Sequence, residues 1–384
     1  MLDSLIRFVR DQYRTNEFIP LHAPVFSGRE RELVLDTINS TFVSSVGAYV
    51  DRFEREMAAF TGSQRAVAVM NGTAALHIAL KLADVVPGDL VVTQSLTFVA
   101  TCNAIAYCGA EPLFVDVDRH TLGLSPAALD AWLAEHAMID DNGDCRTRVG
   151  YRRIRACLPM HTFGHPVELD TLITVCERWH LVLIEDAAES LGSYYKGSHT
   201  GNFGRIGVLS FNGNKIMTTG GGGMLLTDET IGKRAKHLTT TAKVPHPYEF
   251  VHDEIGYNYR MPNLNAALGC AQLEQLSTFL ESKRSLAARY IEFFKGSEFQ
   301  SIVEPADCRS NYWLNGIICQ DSKQRDELLQ TTNNAGVMTR PIWALMTRLP
   351  IYTNALRGPL DNAEWLESRV VNLPSSVLPE SIAC

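Results

Sequence analysis

Between about residues 30 and 230 the chain alternates short apolar runs with segments of helical period, and no other feature limits its fold as strongly. The runs are AVAVM (66–70), LVVTQ (90–94), PLFVDV (112–117), ACLPM (156–160), LVLIE (181–185), GVLSF (207–211) and GMLLT (223–227). Several are apolar throughout, as a strand must be when helices cover both of its faces. Between them stand helical patterns such as GTAALHIALKLADV and SPAALDAWLAEHA, the second opening on a favourable Ser–Pro start. Strand and helix in alternation predict a mostly parallel, doubly wound α/β sheet. The polar segment MIDDNGDCRTRVGYRRI (138–154) interrupts the rhythm and reads as a surface insertion. After Pro262 comes one long helical run, LNAALGCAQLEQLSTFLESKRSLAARYIEFFKG, of a length that often carries a chain from one domain to the next. The expected division is a large domain over 31–262 and a smaller C-terminal domain over 263–384. Residues 1–30 form an N-terminal extension in which Leu2, Leu5, Ile6, Phe8 and Val9 recur on a helical period. It is expected to pack as a helix on the body of the protein or on a partner subunit.

With 384 residues and 46% apolar content, the chain can bury one large core and a smaller second one. A net charge of −8 argues against a nucleic-acid scaffold, whose backbone contacts need a basic face. It leaves a nucleotide-sized ligand open, because a few local donors suffice to hold one. The nine cysteines are odd in number, contain no C-x-x-C and mostly lie in apolar runs. That pattern fits a reduced, cytoplasmic protein rather than a disulfide scaffold or a zinc site, and Cys108 reads as packing. The first residues lack the continuous apolar core of a signal peptide, and no stretch is long enough to span a bilayer.

In an open α/β sheet, ligands lie beyond the carboxyl ends of the strands. Four such ends carry functional groups here. AVAVM runs into NGTAALHIAL, where a glycine turn and a helix start make an anion site from backbone N–H groups. It lacks the G-K-[ST] of a Walker A loop, and Gly–Thr also opens ordinary helices. LVLIE ends on Glu185 and Asp186, which are either caps of a following helix or a carboxylate facing a protonated heterocycle or metal. ACLPM is followed by His161, a structural residue or a ligand; His165 shares its loop, with no carboxylate at zinc spacing beside them. GVLSF leads from Ser210 to Lys215 in SFNGNKIMTTGGGG. That lysine is a phosphate holder, a counter-charge or a nucleophile, and an apolar, partly desolvated turn favours the neutral, reactive amine. The four glycines after it give a bulky ring room to approach the backbone. A phosphate cradle, an acid, a hydroxyl and an amine nucleophile are together the parts that hold pyridoxal phosphate. TGNFGRIG (200–207) lacks the G-x-G-x-x-G spacing, which disfavours a dinucleotide fold.

With VGAYVDRFE, NGTAALHIAL, SLTFVAT, HTFGHP, IEDAAES, SFNGNK, GYNYRM and TRPIW in that order, the chain resembles the DegT/StrS-type nucleotide-sugar aminotransferases. The resemblance runs from about Phe18 to the NLPSS near the C-terminus. It implies the aspartate-aminotransferase fold (fold type I), with a seven-stranded, mostly parallel sheet flanked by helices and a smaller α/β C-terminal domain. It also implies pyridoxal 5'-phosphate on Lys215, which then shuttles the proton between Cα and C4′. Asp186 would pair with the pyridine nitrogen; Gly72, Thr73, Ala74 and Ser210 would hold the phosphate; Phe98 would stack on the ring. Asn258 would reach the phosphate of the neighbouring subunit, giving a homodimer with shared sites. Glu189 occupies a position near the cofactor where many relatives have glutamine or histidine. His161, Arg340 and Trp343 are substrate-side candidates, whereas ALMTRLP follows TRPIW where relatives have a substrate-loop histidine.

The N-terminal helix, the insertion and SFNGNKIMTTGGGG resemble the LegC-like branch. That branch implies amination of C4 of a UDP-linked 2-acetamido-4-keto-2,4,6-trideoxyhexose for bacterial surface sugars, with L-glutamate as donor. Alternatives are a sugar dehydratase, which usually carries histidine in place of Lys215, and a non-catalytic regulatory homologue, against which intact Lys215, Asp186 and Ser210 stand.

Overall fold

All seven apolar runs become strands of one sheet in a computed structural model of the protein, which describes residues 1–381. Across the sheet the strands follow the order Arg65–Val69, Gly223–Thr227, Ile206–Ser210, Val182–Asp186, Ile154–Cys157, Leu90–Gln94 and Glu111–Val115. Every neighbouring pair is parallel except those made by Gly223–Thr227, which is antiparallel to both its partners. The exception goes with the connection, since a parallel return usually needs a helical crossover. Only the lysine loop joins Ser210 to Gly223, and it contains no helix.

Local chemistry sets the helix starts. Asn71 takes an extended conformation and its side chain accepts from the Ala74 N–H, capping the helix Gly72–Leu82. Ser125 caps Pro126–His136 in the same way, with Pro126 in the first turn as its sequence foretold. ACLPM gives a shorter strand than expected, because Pro159 has no N–H to donate; beyond it only Met160 bridges to Asp186. The polar insertion folds into a two-stranded ribbon, Ala137–Ile139 against Cys145–Thr147.

One helix, Asn263–Phe294, runs between the two sheets. Its first half packs on the helices Glu30–Asn39 and Ala48–Thr61. Its second half places Leu286, Tyr290 and Phe294 in a core with Ile317 and Val371 of a four-stranded antiparallel sheet. The N-terminal helix, Leu2–Tyr13, buries Leu5 and Val9 in that same core, and the Tyr13 hydroxyl donates to the Ser376 carbonyl at 3.1 Å. Of the two sites expected for this helix, its own chain's C-terminal body provides one. No helix among the described residues is long and apolar enough to cross a membrane. The cysteines of the described residues are free thiols, and burial pushes Cys108 up to about 11; Cys384 lies outside the described residues.

Candidate active site

The carboxyl ends of four strands open on one cavity of about 280 Å³, lined by Gly72, Phe98, Asp186, Glu189, Ser210 and Lys215 among others. At its floor a helix begins. Gly72 and Thr73 line the cavity in the first turn of Gly72–Leu82, where N–H groups have no intrahelical acceptor. A Cβ on Gly72 would stand 2.9 Å from the Ser210 Cβ, so glycine is what lets the hydroxyl and the helix start meet. Ala74 does not join this cradle, contrary to expectation. Its N–H already donates to the Asn71 side chain at 2.8 Å, and the residue does not line the cavity.

Asp186 and Glu185 stand on opposite faces of one strand, as alternate residues must. No helix follows them, which removes the capping alternative. Asp186 faces the cavity, accepting from the Thr101 hydroxyl at 2.7 Å and the Ala188 N–H at 3.2 Å; burial pushes its carboxyl up. Glu185 faces away and accepts from the N–H groups of Gly201, Phe203 and Gly204. Burial pushes its carboxyl up, but the hydrogen bonds from His161 and from the Gly201 and Gly204 N–H groups outweigh that and hold it below the usual range.

His161 is the second correction. Its Nδ1 accepts from the Val167 N–H at 3.2 Å, so Nε2 carries the hydrogen and donates to Glu185 at 3.0 Å. Fully buried with both nitrogens engaged, it has nothing to offer a substrate. Arg340 is exposed on the small sheet and also lines no part of the cavity, whereas Trp343 does. Phe98, half exposed at the mouth, lies 6.4 Å from Trp343 between ring centroids. Asn258 is outside its own chain's cavity and accepts from Arg260 at 3.0 Å.

Lys215 follows a turn closed by its own N–H on the Asn212 carbonyl. Its Nζ lies 3.3 Å from Glu189 Oε1 and 4.1 Å from the centre of the Trp313 ring. Glu189 is buried, its other oxygen accepts from the Phe163 N–H at 2.9 Å, and burial pushes its carboxyl up. Sequence reasoning missed Thr101 and Trp313. The first was visible at the end of SLTFVAT; the second gave no signal, since it comes from the far end of the chain. Among the described residues one His/Asp/Glu group has metal-ligating distances, His237 with Asp253 and Glu254. It lies outside the cavity, and Arg234 pairs with its Glu254.

These groups fit pyridoxal phosphate: the glycine-floored helix start suits its phosphate, Asp186 its ring nitrogen and the Lys215 amine its aldehyde. Fold and site define a pyridoxal-phosphate-dependent aminotransferase of fold type I. The chain belongs to the DegT/DnrJ/EryC1/StrS aminotransferase family, whose signature matches residues 25–380. It is 36% identical over 361 residues to a GDP-perosamine synthase of Escherichia coli O157:H7, covering 94% of this chain and 93% of that protein. Among solved structures it resembles the aminotransferase TlmJ from Streptoalloteichus hindustanus, with a TM-score of 0.83, 28% identity and 93% of each chain covered. It also shares its fold with Helicobacter pylori PseC, an aminotransferase involved in the biosynthesis of pseudoaminic acid, at a TM-score of 0.85, 21% identity and 95% and 96% coverage.

Proposed function

We propose that the protein transfers an amino group from L-glutamate to C4 of a 4-keto nucleotide sugar. The observation that carries this reading is the Lys215 amine, held between a buried carboxylate and an indole face at the rim of a phosphate cradle. Bound there, pyridoxal phosphate supplies an aldehyde carbon that accepts an amino group and passes it on, with the ring as electron sink. In this reading Lys215 would hold that carbon, and its amine would carry the proton at the substrate Cα. Asp186, fixed by Thr101, would pair with the ring nitrogen, while Gly72, Thr73 and Ser210 would hold the phosphate. Phe98 and Trp343 wall the entrance and keep water from the reacting carbon. The division at residues 30 and 262, and a homodimer in which Asn258 serves the neighbouring cavity, belong to the same proposal. Support for the dimer comes from Asn258 being outside its own cavity, beside exposed Phe250 and Ile255.

For the sugar, a UDP-linked 2-acetamido-4-keto-2,4,6-trideoxyhexose is the first reading, from the LegC-like motifs. A GDP-linked 4-keto sugar is the second, favoured by relatives named GDP-perosamine synthase, one at 36% and another at 33% identity. Purified holoenzyme with ¹⁵N-glutamate and each keto sugar in turn separates them by product mass and NMR. The expected result is ¹⁵N on C4 of one of the two. Incorporation into neither, or loss of water without amino transfer, would reject the proposal.

A further inference from the structure

We infer that Glu189 and Trp313 form a docking site for the Lys215 ammonium, occupied when that lysine is released from the cofactor carbon carrying its extra proton. The inference rests on the aminotransferase reading above. Each transfer requires Lys215 to yield its bond on the cofactor carbon to an incoming amine, one C–N bond forming as the other breaks. The incoming ammonium sheds two hydrogens, and these end on the Lys215 nitrogen, which leaves as an ammonium. An ammonium released inside a protein needs compensation, or the cost of burying its charge opposes the release.

Two side chains of different chemistry supply it here. Glu189 Oε1 lies 3.3 Å from Lys215 Nζ, and the Trp313 ring presents its face at 4.1 Å. A carboxylate and an indole face are the two partners a buried ammonium binds best. Both are fixed by a frame that also holds the lysine loop. Asn311 ties them together, accepting from the Trp313 N–H at 2.8 Å while its amide donates to the Glu189 carbonyl at 2.8 Å. That contact depends on Gly164, where a Cβ would fall 1.8 Å from Asn311 Oδ1. The Trp313 indole N–H donates to the Asn214 carbonyl at 2.7 Å, one residue before Lys215. From the other side, the buried Lys283 amine donates to the Trp313 carbonyl at 3.1 Å. The indole therefore has a fixed position, and the flexible lysine side chain is the part that moves.

The test compares two forms of the cofactor on the cofactor-free protein. Pyridoxamine 5′-phosphate leaves Lys215 unbonded, and pyridoxal 5′-phosphate takes it up. Of the two complexes, loss of the docking site penalises only the one that keeps the lysine free, and the cofactor-free protein, common to both titrations, cancels in the ratio of the two constants. Glu189→Gln and Trp313→Leu are each expected to raise the ratio of the amine-form Kd to the aldehyde-form Kd about tenfold. Trp313→Phe keeps a π face and is expected to stay within about threefold of the wild-type ratio. Titration calorimetry reads both constants, with circular dichroism checking that each variant is folded. An unchanged ratio in Glu189→Gln, or equal weakening of both forms in every variant, overturns the inference. Failure of the wild type to bind either form would instead overturn the pyridoxal-phosphate reading.

Discussion

Lysine residues perform two opposite tasks in this protein, and their surroundings explain the difference. Lys215 lies at a cavity beside a carboxylate, whereas Lys283 is fully buried with only carbonyl acceptors, those of Trp313 and Ser375. Burial without a counter-charge pushes the Lys283 amine down to about 7 from its ordinary 10.5. Between those two values the unfolded chain binds a proton that the folded protein does not. Stability therefore rises with pH across that window, and below about 7 this group gives no slope because both states are protonated. Lys283→Met is expected to flatten the rise in Tm between pH 7 and 10 by roughly a few degrees, read by calorimetric scans. A wild-type Tm that falls over that range in parallel with the variant would contradict the assignment. Such a residue was invisible in the sequence, where nothing local to Lys283 in FLESKRSLAARY sets it apart from the other charges of the helix. Lys215 was legible because it follows a strand end, where a chain must turn and a cavity can form. His161 misled for the same reason: it too follows a strand end, yet it turns onto Glu185. Which of two adjacent acids faces the ligand depends on strand orientation, and no local pattern in LVLIED fixes that.

At the scale of elements, the glycine run after Lys215 divides into distinct jobs that the sequence merged into one. Gly220 adopts a left-handed conformation at φ +78°, which closes the loop. Gly221 and Gly222 line the cavity and leave the clearance expected of them. Gly223 serves packing, because a Cβ there would stand 2.4 Å from the Asn71 carbonyl carbon and oxygen. That close approach joins the antiparallel strand Gly223–Thr227 to the cap of Gly72–Leu82, so strand register and phosphate cradle are mechanically one unit. Gly223→Ala is expected to cost about 1–3 kcal/mol of stability by overpacking and to weaken cofactor binding as Asn71 is displaced. Gly221→Ala, whose Cβ would meet nothing nearer than the Met70 carbonyl at 4.0 Å, is expected to leave stability within about 0.5 kcal/mol. Denaturant melts and cofactor titration of the two variants check this, and equal effects would refute the division. The seven strands themselves were readable because burial on both faces demands unbroken apolar runs. The ribbon Ala137–Ile139 with Cys145–Thr147 was not, since polar residues can pair on a surface without leaving a period.

For the whole molecule, the cavity draws on widely separated parts of the chain, yet Asn258 stays outside it. The stretch holding Asn258 bridges to Thr240, and just before it Tyr248, Phe250 and Ile255 are about four-fifths exposed. A single chain's sequence registers such side chains only as apolar residues in a polar loop, and carries no local sign of whether anything covers them. If a second copy covers them and Asn258 completes the neighbour's site, two inactive variants can rescue each other. Lys215→Ala removes the amine from its own cavity, and Asn258→Ala removes the contact supplied to the other. A mixed dimer then has one cavity lacking both groups and one with both intact. Mixing the two variants in equal amounts, with subunit exchange, is expected to recover about a quarter of wild-type activity, since about half of the dimers are mixed and each has one working site. Recovery must follow the fraction of mixed dimers measured by native mass spectrometry. An Asn258→Ala protein of full activity, or mixed dimers that form without any recovery, would show that each chain works with its own cavity alone.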